Sequence, residues 1–142
     1  MNRQMRMVDT AYYHYKNVNP KDRYVEDCVI RAVANACNQS WEQTVKEMTE
    51  LGLPKGLLCN DSKLIPLYLK KKGFSQMDEP RKPDNTKMTI KEWLCTRDAH
   101  LYHNHCIVAN AGSHHTTCIK NGKVEDIWNC SNQKMHKWWV KL

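Results

Sequence analysis

His115-Thr116-Thr117-Cys118-Ile119-Lys120-Asn121-Gly122-Lys123-Val124-Glu125-Asp126-Ile127-Trp128 is the stretch that decides the fold. Asn-Gly between two β-rich runs is the strongest short-range hairpin signal in a sequence. A two-residue loop fixes the pairing: Lys120 opposite Lys123, Ile119 opposite Val124, Thr117 opposite Asp126, His115 opposite Trp128 and His114 opposite Asn129. Side chains alternate across a strand. One face therefore carries His115, Thr117, Ile119, Val124, Asp126 and Trp128. The other carries His114, Thr116, Cys118, Lys120, Lys123, Glu125, Ile127 and Asn129. The first face is the more apolar and is expected to lie under the helices. On it His115 and Asp126 are diagonal neighbours, within side-chain reach.

Around this hairpin the pattern extends to further strands over 105–109 and 138–140, with Gly112 in a turn. N-terminal to it the period is helical. Asp27 is placed to cap an apolar, small-residue helix near 28–37. Ser40 and Gln43 have capping-box spacing before Trp41, Val45, Met48 and Leu51, and Gly52 closes that second helix. A third helix is expected over 62–72, capped by Asp61, tolerant of Pro66 in its first turn and ended by Gly73. Residues 75–88 read as a surface loop. Thr89 and Glu92 again match a capping box, which opens a short helix through Trp93 and Leu94. Helices first and an antiparallel sheet second make an α+β domain. The whole chain, 1–142, reads as one such domain, with 1–11 expected to fray.

Composition narrows the function. The chain has 142 residues, 41% of them hydrophobic and 26% charged. That suits a folded domain and no membrane span. No apolar run follows Arg3 and Arg6, so a signal peptide is not expected. The net charge is +7, divided evenly: 11 basic and 8 acidic residues in 1–71, against 11 and 7 in 72–142. A dispersed excess without a basic arm argues against nucleic acid as a partner. Trp138 and Trp139 among lysines resemble a single-strand binder's pattern, but a final strand packing one tryptophan inward explains them more simply.

Seven cysteines, an odd number with no CxxC pair, match seven histidines. This argues against a disulfide framework and fits a reducing compartment. A zinc site drawn from His103, His105, Cys106, His114, His115 and Cys118 lacks any characteristic spacing, so neither a metal nor a cofactor is expected. Cys106 and Cys118 are placed to face each other as thiols on neighbouring strands. Cys28 is different. At the first turn of a helix it meets unpaired N–H groups and the positive dipole end, which favour a thiolate. A thiol nucleophile needs a base, and the base needs a group that fixes its tautomer. Cys28, His115 and Asp126 can fill those roles. His114 with Asn129 is the alternative dyad on the opposite face.

The segment Asp27-Cys28-Val29-Ile30-Arg31-Ala32-Val33 resembles the nucleophile helix of papain-like cysteine peptidases. It is most similar to small phage and bacterial members related to the bacteriocin-processing peptidases. Asn19-Pro20-Lys21 and the His115–Trp128 hairpin share this resemblance, which spans residues 17 to 129 in the family's Cys, His, Asp order. It implies a papain-like domain with Cys28 as nucleophile, His115 as general base and acid, and Asp126 as orienting residue. It also implies a protein or peptide substrate and the cytoplasm of a bacterium or phage-infected cell. The oxyanion hole would take the Cys28 backbone N–H and a side-chain amide upstream. Six residues before Cys28, where papain has Gln, stands Asp22, which only accepts. Asn19 or Asn17 is then the expected donor. Peptide or isopeptide hydrolysis is the leading expectation. An amine resolving the thioester would make the same triad a transglutaminase. The different-class alternative is a non-catalytic papain-like binding or virion-associated module.

Overall fold

Asn121 and Gly122 both take positive φ, 52° and 72°, the conformation of a type I′ turn. The register follows as the loop length requires: Lys120 pairs with Lys123, Ile119 with Val124 and Cys118 with Glu125. The computed structural model describes residues 7–142. In chain order its elements are β1 (Tyr13–Tyr15), α1 (Cys28–Cys37), α2 (Trp41–Gly52), α3 (Ile65–Lys71) and β2 (Ser75–Met77). Then come α4 (Ile90–Leu94), α5 (Arg97–Leu101), β3 (Ile107–Ala111), β4 (His115–Lys120), β5 (Lys123–Asp126) and β6 (Met135–Val140). Among the described residues the fold is mixed α+β, with five α-helices and one sheet of six strands ordered β1-β5-β4-β3-β6-β2. Among the described residues no helix is long and apolar enough to cross a membrane.

The sequence leads one to expect a wholly antiparallel, C-terminal sheet, and the sheet is neither. β1 joins it from the N-terminal side, parallel to β5, and β2 pairs with β6 from within the expected loop 75–88. Both edge strands have three residues, too few to show a period. Of the stretch 1–11 expected to fray, residues 1–6 lie outside the described residues. In the rest, Asp9 accepts from the Tyr15 backbone N–H and Thr10 bridges to Tyr13, which ties this stretch to β1.

The helix starts are locally determined. Ser40 accepts from the Gln43 N–H, but Gln43 turns its own amide to Glu47, so that capping box is half made. Thr89 and Glu92 form the complete box. The expected third helix is a 3-10 turn over Ser62–Leu64 running into α3, with Pro66 in the first turn of α3 and Asp61 accepting from the Lys63 N–H.

Both faces of the sheet are covered. Helices α1, α2 and α3 pack Val29, Ile30, Val33, Met48 and Leu69 against Val108, Cys118 and Trp139. Trp93, Leu94 and Ala99 of α4 and α5 pack against Ile107, Ala109, Ile119, Val124 and Trp138. Helix α1 thus lies on the Thr116–Cys118 face, not on the Ile119–Val124 face as expected. A sheet sandwiched on both sides needs apolar residues at successive positions, and Thr116, Thr117, Cys118 and Ile119 are all buried. Trp138 and Trp139 are likewise both buried, one on each face. Neither is free to stack on a nucleobase. Val108, not Cys106, lies opposite Cys118.

Candidate active site

Cys28 is the first residue of α1, where N–H groups lack intrahelical partners. Asp27 holds the N-cap position but makes no side-chain cap. Its carboxylate accepts instead from Arg31, from Asn19 Nδ2 at 3.2 Å and from Trp41 Nε1 at 2.9 Å. The expectation that Asp27 caps the helix is therefore corrected. Arg31, one turn along at i+4, attracts the carboxylate more strongly than a backbone N–H does. That leaves the first turn of α1 open towards Cys28.

His115 opens β4 and Asp126 ends β5, on the same hairpin. His115 Nε2 lies 2.6 Å from Asp126 Oδ2. Asp126 also accepts from Thr117 Oγ1 at 2.7 Å and from the Ile127 N–H at 2.7 Å, and Arg31 Nη2 stands 3.4 Å away. Tyr13 Oη donates to the Asp126 carbonyl at 2.8 Å, so β1 fixes the backbone of this residue. Trp128 packs edge-on against the His115 ring, with centroids 4.8 Å apart. With Nε2 committed to Asp126, Nδ1 is the nitrogen available to Cys28.

Burial acts to raise the Cys28 thiol. Hydrogen bonds from the His115 ring and the Thr116 backbone N–H, with the charges of His115 and Arg31, outweigh it and hold the thiol below its ordinary value. Burial likewise opposes a charge on His115. Its hydrogen bonds to Asp126, Cys130 and Cys28, together with the Asp126 charge, win and push it up to about 11. Burial pushes up the thiols of Cys37, Cys118 and Cys130. Cys28 moves the opposite way. These directions favour a thiolate–imidazolium pair.

Cys28 and His115 line a cleft of about 690 Å³, walled by Val25, Glu26 and Val29 on one side and Asn110, His114 and His136 on the other. The structure brings Cys28, His115 and Asp126 together and does not bring Asn19 or Asn17 to them. Neither asparagine lines the cleft. Asn19 donates to Asp27, and Asn17 donates to Asp22 and to the Arg23 carbonyl. The alternative dyad does not form. His114 is exposed in the turn before β4, and Asn129 accepts from Ser131.

The residues weighed for zinc do not converge. Among the described residues, the metal-ligating side chains that do are His115, Asp126 and Cys130, with ligand atoms within 4.8 Å of one another. Two ligands around a tetrahedral zinc stand ~3.3 Å apart. The 2.6 Å between His115 Nε2 and Asp126 Oδ2 is a direct hydrogen bond that leaves no such gap. Arg31, Thr117 and Cys130 are the site residues the sequence reading missed. Arg31 had a signal, since a lone charge inside an apolar helix run needs a buried partner. No family model, curated protein or solved structure matches the chain.

Proposed function

We propose that the protein is a cysteine-dependent acyl hydrolase of papain-like type, acting on peptide or isopeptide bonds. Cys28 attacks the carbonyl, His115 takes the thiol proton and returns it to the leaving amine, and water resolves the thioester. Asp126 fixes the His115 ring and steadies the imidazolium. The observation that carries this reading is the lowered Cys28 thiol beside a histidine whose far nitrogen is bonded to a buried carboxylate. The Cys28 backbone N–H at the start of α1 is the oxyanion donor in this scheme.

The test is alkylation of each cysteine with iodoacetamide across pH, in the natural chain and in His115→Ala. Cys28 is expected to react fastest below neutral pH and to lose that advantage in the variant. A Cys28 profile indifferent to His115 refutes the triad.

A further inference from the structure

A β-bulge sits beside the cleft. Between β3 and β6, Ala109 lies opposite Trp138 and Ala111 opposite Met135, so Asn110 faces both His136 and Lys137. An extra residue on one strand re-aims side chains, a device common beside functional sites. Asn110 and His136 line both the Cys28 cleft and an adjoining depression of about 510 Å³ that reaches Asp78 and Arg81. The two residues therefore wall one groove that continues from Cys28.

Each of these side chains has one edge committed and one edge spare. Asn110 Oδ1 accepts from Thr116 Oγ1 at 3.2 Å, which orients the amide; among the described residues its Nδ2 donates to nothing. His136 Nδ1 lies 2.6 Å from Glu79 Oε1. A carboxylate only accepts, so Nδ1 carries the hydrogen, and in the neutral form of the ring Nε2 is an acceptor. Glu79 is held in place by Arg81 at 2.7 Å and Lys87 at 3.7 Å. A free N–H₂ beside a free ring nitrogen is the complement of a carboxamide, whose oxygen accepts and whose nitrogen donates. A carboxylate has no hydrogen for Nε2, an ammonium has no acceptor for Asn110, and an aliphatic chain leaves both unpaired.

We propose that Asn110 and His136 form a subsite for the carboxamide side chain, Gln or Asn, of a peptide substrate. This rests on the reading of Cys28 as the acyl-accepting nucleophile. The experiment reads binding in the full chain carrying Cys28→Ala at about pH 9, well above the ordinary imidazole value, by calorimetric titration with blocked tetrapeptides. Each peptide position in turn holds Gln, Leu, Glu or Lys on an alanine background. At one position the Gln peptide is expected to bind roughly tenfold tighter than the Leu peptide, as two neutral hydrogen bonds allow. Adding Asn110→Asp, which keeps the shape but removes the donor, or His136→Phe is expected to abolish that preference. The proposal is overturned if no peptide binds, if Leu, Glu or Lys matches Gln at every position, or if the preference survives either variant. Because binding is read without Cys28, this outcome is independent of the alkylation result.

Discussion

Asp126→Asn separates the shape of the site from its charge. Asparagine occupies the same volume, so any change reports on the carboxylate. That carboxylate accepts from His115 Nε2 at 2.6 Å, Thr117 Oγ1 at 2.7 Å and the Ile127 N–H at 2.7 Å. An amide presents one acceptor and one N–H₂. If the oxygen keeps Ile127 and Arg31, the N–H₂ faces His115. The ring must then accept from that N–H₂ through Nε2 and carry its hydrogen on Nδ1, the side facing Cys28. A histidine in that tautomer cannot take the thiol proton, and the Asp126 charge that supports the imidazolium is gone. An unperturbed thiol is only about 0.3% ionised at pH 6. The lowered thiol of the native site is ionised to a larger fraction at the same pH. Iodoacetamide labelling of Cys28 at pH 6, followed by mass spectrometry, is therefore expected to slow roughly tenfold or more in the variant. The reaction should recover only above about pH 8, where an ordinary thiol ionises. Arg31 also loses one of its two carboxylates, a loss of roughly 2–4 kcal/mol for a buried charged hydrogen bond. That corresponds to a fall in melting temperature of about 5–15 °C for a chain of this size. Labelling that keeps its low-pH rate in Asp126→Asn refutes the role given to this residue.

Other perturbations test other joints of the structure. Arg31→Met leaves Asp27 buried without a cation and Asp126 with His115 alone, and is expected to destabilise the fold by about 3–5 kcal/mol in chemical denaturation. Adding Asp27→Asn should recover part of that loss, and no loss at all refutes the bridge. His115 is held above its unfolded value of about 6.5. Its contribution to stability is therefore complete below that pH and is lost as the pH climbs towards about 11. Thermal melts between about pH 6 and 10 should fall more steeply in the natural chain than in His115→Ala. Thr89→Ala removes the complete capping box of α4 and should cost about 1 kcal/mol without altering Cys28 labelling.

The hairpin register and the α1 start were legible because each depends on local chemistry: a turn that demands positive φ, and an apolar run behind a polar residue. The pairing of His115 with Asp126 followed from that register. What the helices cover did not. With Thr116 to Ile119 buried throughout, alternation gives no bias to either face, and α1 settled on the side of Cys118. Asp27 looked like a cap because its position is a cap's. Only the fold shows Asn19 and Trp41 arriving at the same carboxylate. β1 and β2 escaped notice because each takes its conformation from a partner strand distant in sequence, not from its own residues.

The tie from Tyr13 to the Asp126 carbonyl joins residues 113 apart, and that from Arg31 to Asp126 joins residues 95 apart. Contacts of such long range require that the loops between them be closed first. Until then Cys28 has the helix end beside it but neither the His115 ring nor the Thr116 N–H. The hydrogen bonds that lower its thiol come from the C-terminal hairpin, so they are complete only when that hairpin docks on α1.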